Sequence, residues 1–245
     1  MSEARGLVEQ ARELEEQGYE AFKEGDSDRS RDLNERSLAL ARQAGDPETI
    51  ARALAGLMRL GLRSRDFAEV ERRAAECEEV AHSSGNPALR RLPLHMRAES
   101  ARMQGELTRA AVLYDESIAL NQELGNAAMV AVELGNKAWV EIAVRRLDEA
   151  ERLIRASLEG TEDDYGIAFC LLGLARVELE RGEERGVEIL GAAESRLERG
   201  GLVWDPAEQP EYEATLELAG AVAGERRDEL RTAGAGADPA EIVGG

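Results

Sequence analysis

The chain has 245 residues, 43% of them apolar but only 4% aromatic, and charged side chains make up 33%. That composition suits repeated amphipathic helices and excludes a β-sandwich. The net charge of -19 excludes broad contact with nucleic-acid backbones or anionic lipid surfaces. No stretch approaches the roughly 18 consecutive apolar residues of a membrane span.

In chain order, apolar residues at helical spacing predict paired helices over 3–24 and 27–44, 47–63 and 67–84, 88–103 and 107–124, 127–143 and 147–160, and 165–181 and 184–199. The segment 51–79 shows the pattern. Leu54, Leu57, Met58 and Leu62 form one run, Arg65-Asp66 breaks it, and Phe67, Val70, Ala74 and Cys77 form the next. Ala44-Gly45-Asp46-Pro47 and Ser84-Gly85-Asn86-Pro87 each end a helix and seat proline near the start of the following one. Gly200-Gly201 closes the array, and Pro210 to Val222 predicts a further helix that covers its last apolar face. The domain reading is a repeat array over 1–200, capping helices over 201–232, and a loose tail rich in Ala and Gly over 233–245 with a short helical turn near Ala240.

A fixed period of 40 residues runs through the pairs. Leu14, Leu54, Leu94 and Leu134 keep it, as do Ser30, Val70, Ala110 and Ala150, and again Ser37, Cys77, Ser117 and Ser157. A fifth copy follows a connection shorter by three residues, which puts Leu171 and Val187 in the matching columns. Gln17, Ser27 and Asn34 place polar groups where the first copy should be apolar. One hairpin buries too little apolar surface to fold alone, so stacked hairpins and an all-α solenoid are expected.

Gly105-Glu-Leu-Thr-Arg-Ala-Ala-Val-Leu-Tyr-Asp-Glu-Ser-Ile-Ala-Leu and Leu147-Asp-Glu-Ala-Glu-Arg-Leu resemble the second helix of a tetratricopeptide repeat. The resemblance covers about residues 8–200 and implies a right-handed superhelix of five hairpins with a C-terminal capping helix. Gly186 to Leu197, then Pro206 and Glu211-Tyr212-Glu213, is similar to the close of the repeat arms in large ATP-binding LuxR-type (MalT-like) transcriptional regulators. The chain departs from those regulators in two respects. Its two lysines, Lys23 and Lys137, follow no glycine-rich phosphate loop, and no room remains for a DNA-binding helix–turn–helix after the cap.

In such a superhelix the first helix of each pair lines the concave face. That projection places Arg12, Glu15 and Tyr19, then Arg52, Arg59 and Arg63, then His95, Glu99 and Arg102, then Asn136 and Trp139, and finally Arg176 on one surface. Arginine forks grip carboxylates, and Trp139 would serve as an aromatic anchor. Solvated or locally paired arginines, and a Trp139 that only packs, are the plain alternatives. The two-lysine, two-asparagine clamp of chaperone-adaptor repeats is absent.

Catalytic chemistry finds little footing. Only His82 and His95 occur, neither at ligand spacing, and Cys77 and Cys170 read as core thiols. Glu162-Asp163-Asp164 reads as a solvated charge run. No metal, cofactor or catalytic residue is expected. The first ten residues lack a basic end followed by an apolar core, so the expected setting is the cytoplasm. The expected role is a non-catalytic adaptor that holds a partner peptide or helix bearing acidic groups. A small-ligand-sensing module derived from a regulator's effector arm is the alternative, and self-association as a homodimer stays open.

Overall fold

The computed structural model describes residues 2–237, and every regular element among them is helical. Twelve α-helices follow in order: α1 Ser2–Lys23, α2 Ser27–Ala44, α3 Pro47–Arg63, α4 Phe67–Ser84, α5 Arg91–Met103 and α6 Leu107–Glu123. Then come α7 Ala127–Ala143, α8 Leu147–Glu159, α9 Asp164–Arg181, α10 Arg185–Gly200, α11 Gln209–Ala223 and α12 Arg227–Ala235. Short 3-10 turns at Pro87–Arg90 and Gly224–Arg226 lead into α5 and α12.

The helix ends explain the period. Residues 25, 45, 65, 85, 105, 125 and 145, each 20 apart, all take the left-handed conformation, with φ between 58° and 81°. Glycine fills five of these positions, where it carries no Cβ penalty, while Arg65 and Arg145 adopt the same backbone at a cost. At most of these junctions the next amide reaches back to close the helix, as in Asp26 to Ala21, Asp66 to Gly61 and Asn126 to Asn121. The side chains of Asp26, Asp46, Asp66, Asn86 and Asn126 then cap the following helix by accepting an amide N–H. One residue thus ends one helix and begins the next.

The chain divides into two compact units, Met1–Leu120 and Asn121–Gly245. In the first, each of α1 to α4 packs on the next, and α3 also packs on α1 and on α5. Its core gathers Leu54, Leu57, Met58, Val70 and Cys77. In the second, α7 to α10 pack in sequence, α9 also touches α7 and α11, and α12 lies against α10. Trp139, Ile154, Leu171, Leu172, Val187 and Leu190 fill its core. The columns Ser30, Val70, Ala110, Ala150 and Ser37, Cys77, Ser117, Ser157 are all buried. Ser30 and Ser37 satisfy their hydroxyls by donating to the carbonyls of Gly18 and Ala11 on the partner helix.

Three local differences from the sequence expectation have physical reasons. The helix expected from residue 88 begins as a 3-10 turn and becomes α-helical only at Arg91, which leaves Pro93 in the first turn, where its missing N–H breaks no bond. Asn34, polar in an expected apolar column, is buried and donates to the Ser30 carbonyl. It fits because Gly18 and Gly56 face it: a Cβ on Gly56 would lie 2.6 Å from the Asn34 Cγ. Finally, α12 extends to Ala235, into the stretch expected to be loose. The turn expected near Ala240 lies outside the described residues.

Candidate functional site

The first unit joins α1 to α3 through a row of contacts, each made by residues 37 to 41 apart in sequence. Arg12 donates to the Thr49 hydroxyl at 3.3 Å. Arg52 donates to the buried Glu15 carboxylate, at 3.1 Å from Nε and 2.9 Å from Nη2. The Arg59 guanidinium sits 4.8 Å from the centroid of the Tyr19 ring, and Lys23 lies 5.1 Å from the same ring. Arg63 donates to the Phe22 carbonyl at 2.7 Å and stacks on its ring at 3.4 Å. The helical repeat of α3 and the register of α1 set this row, and its exposed aromatic member is Tyr19, at 43% accessibility.

These rows are a general device. Arg65 donates to the Met103 carbonyl at 3.1 Å, and Arg97 pairs with Glu71 at 2.9 Å and with Glu78 at 2.5 Å. In the second unit Arg181 grips Asp148 and Glu151, both at 2.7 Å, and Arg231 chelates Glu194 at 2.9 Å. Much of the arginine content therefore links one helix to another, through charge-assisted bonds across helix pairs.

On α5 two of the three expected surface residues are drawn inward, while His95 is half-buried. Glu99 and Arg102 are buried and pair at 2.9 Å, and the fully buried Tyr114 hydroxyl also donates to Glu99. Burial pushes the Glu99 carboxyl up, but the Arg102 and His95 charges and the two donated hydrogen bonds outweigh it and hold it below the usual carboxylate range. Glu99 and Arg102 thus form an internal polar knot rather than an open contact surface. Sequence reasoning missed Tyr114 as their partner. The 15-residue separation from Glu99, one hairpin apart, was the signal that could have found it.

Asn136, Trp139 and Arg176 belong to the second unit. Trp139 is buried, its ring centroid 5.9 Å from that of Phe169, so it packs the core instead of presenting an anchor. Arg176 pairs with Glu180 one turn on, at 2.9 Å. Asn136 is buried. Of the twelve residues, then, Arg12, Glu15, Tyr19, Arg52, Arg59 and Arg63 share one seam, and Arg63 is occupied by backbone.

Both cysteines are free and buried, and burial pushes the Cys77 thiol up to about 12, with Glu78 and Glu76 adding to it. That suppresses the thiolate and its nucleophilicity. Among the described residues no three His, Cys, Asp or Glu side chains gather as a metal site. A separate cleft of about 520 Å³ lies where α4 meets the first 3-10 turn, lined by Glu78, Ala81, His82, Gly85, Pro87 and Arg90. Among the described residues no helix is long and apolar enough to cross a membrane. No protein-family model matches the chain, and no curated protein matches it as a relative.

Proposed function

We propose that the chain is a non-catalytic interaction adaptor, a tetratricopeptide-type solenoid of five hairpins that works in the cytoplasm. In this reading it holds a partner peptide or helix on its first helices. Support for the architecture comes from the 20-residue step of helix ends, from α3 lying beside α1 and α5, and from α9 lying beside α7 and the capping helix α11. Kinship with the effector arm of LuxR-type regulators belongs to the same proposal and rests on the sequence resemblance.

The observation that carries the function is the exposed Tyr19 ring flanked by the Arg59 and Lys23 cations on the α1–α3 seam. An accessible aromatic beside an arginine is the composition of an interface anchor. The deciding experiment immobilises the intact chain, identifies captured proteins by mass spectrometry, and measures a synthetic peptide from the captured partner by calorimetry. Wild type binds the peptide, and a Tyr19→Ala/Arg59→Glu variant with unchanged far-ultraviolet dichroism does not. Equal binding by both removes this surface from the mechanism.

A second reading is a small-ligand-sensing module, for which the open cleft at His82 and Arg90 is the place to look. A metabolite that raises the melting temperature of wild type but not of His82→Ala/Arg90→Ala would favour it.

A further inference from the structure

Along α3 the three arginines are not equivalent. Glu15 answers Arg52, and the Phe22 carbonyl answers Arg63. Arg59 has neither ion pair nor hydrogen bond among the described residues, and its one described contact is the Tyr19 ring. It is partly buried all the same. A guanidinium carries five N–H donors and no acceptor, so a half-dry one facing only an aromatic ring gives up hydration without recovering it in hydrogen bonds. Burial pushes the Arg59 pKa down, Tyr19 and Glu15 oppose this, and the neighbouring Arg52 adds to it.

The charge of the segment points the same way. Residues 51–100 carry nine arginines against seven Asp and Glu, whereas each of the other successive 50-residue stretches is acidic in balance. Helix α3 itself carries Arg52, Arg59 and Arg63 against Glu48, so a negative group is attracted from that side of the seam, while α1 opposite is acidic in balance.

We infer that Arg59 receives a carboxylate from the bound partner, with the Tyr19 ring as the wall beside it. A carboxylate takes two parallel N–H bonds from a single guanidinium fork, which is the group the seam leaves unanswered. A phosphate dianion is usually met by several cations or backbone amides, and the neighbouring Arg52 is already engaged by Glu15. The inference names the ligand chemistry of the adaptor reading and rests on it. The carboxylate comes from an acidic side chain or from a chain terminus.

The test follows the arginine Nε–H resonances of the intact chain by NMR, with the Arg59 signal assigned by its loss in Arg59→Gln. Three acetylated glutamine peptides are titrated at matched ionic strength: one with a central glutamate and an amidated end, one with a free C-terminus, and one neutral. Sodium acetate and sodium phosphate are separate arms. A saturable shift of the Arg59 signal with a carboxylate-bearing peptide, absent with the neutral one, is the expected result, and which peptide acts tells side chain from terminus. Arg59→Lys keeps the charge, loses the fork and weakens the peptide by about tenfold. Arg72→Gln on α4, whose arginine pairs locally with Glu69, leaves the affinity unchanged. If acetate shifts Arg59 and no peptide does, the carboxylate site stands and the adaptor reading falls. Equal response to the neutral peptide, preference for phosphate, or no response to any arm overturns the inference.

Discussion

Helix α12 should be the most sensitive reporter of how this chain closes, and Gly234→Ala tests it. Gly234 on α12 and Gly191 on α10 face each other's backbones. A Cβ on Gly234 would lie 2.5 Å from the Glu188 carbonyl carbon and 2.7 Å from its Cα, and one on Gly191 would lie 2.8 Å from the Arg231 carbonyl carbon. Backbone cannot rotate away as a side chain can, so α12 must lift by an ångström or more. Lifting strains the Arg231–Glu194 chelate and opens the seat of the buried Leu230. Overpacking of this kind costs about 1–3 kcal/mol, and exposing one leucine adds ~1.5–3 kcal/mol. Alanine returns at most ~1 kcal/mol of helix propensity. A net loss of ~1.5–5 kcal/mol remains, which raises the open fraction of α12 by about tenfold or more. Hydrogen exchange by mass spectrometry should show residues 227–235 losing protection while α3 and α4 keep theirs. Gly220→Ala on α11 is the matched control, because its Cβ would meet only the Arg227 side chain at 3.6 Å. It should match or exceed wild-type stability. Unchanged protection of 227–235 in Gly234→Ala would refute the close-crossing argument.

Other expectations follow from the buried charges. The Glu99 carboxyl is held low in the fold, so the unfolded chain binds more protons as pH falls through about 4.3, and stability drops there. In urea titrations Glu99→Gln should flatten that acid limb, and an unchanged slope would show that other carboxylates govern it. Arg59→Met should hold stability or raise it by up to ~1 kcal/mol, because it removes an unanswered, partly buried cation. Arg63→Met should lower stability by ~0.5–1.5 kcal/mol, since it removes one hydrogen bond to the Phe22 carbonyl, which keeps the Gly25 amide. Equal melting temperatures for the two variants would contradict the distinction drawn along α3. The Cys77 thiol, pushed up to about 12, should react with a disulfide reagent at about pH 8 only as fast as the first unit opens. Labelling at the rate of a free thiol would place it at the surface.

The helices were legible because their boundaries are local chemistry. A residue at positive φ, followed by Asp or Asn, ends one helix and caps the next whatever surrounds it, and this pair stands at five of the seven ends spaced 20 residues apart, Glu106 and Arg146 taking the second place at the other two. At Arg65 and Arg145, which take the left-handed backbone without glycine, the end is read from the break in apolar spacing instead. Asn34 read as a flaw in the first copy until Gly18 and Gly56 were seen to make room for it.

The fate of the charged side chains was not legible in the same way. Periodicity placed Arg52, Arg59 and Arg63 on one face of α3 but did not separate them. Their partners Glu15, Tyr19 and Phe22 lie 37 to 41 residues away on α1, and register differences of a residue or two decide whether a guanidinium meets a carboxylate, a ring or a carbonyl. The same holds for Glu99 and Tyr114, and for Trp139 against Phe169. An all-helical chain and the places where each helix stops follow from residue order alone, since those depend on φ preferences and caps within a few residues. Which arginines bind the protein to itself, and that Arg59 meets a ring where Arg52 meets a carboxylate, came from the packing, because that depends on angstrom-scale distances between helices remote in the chain.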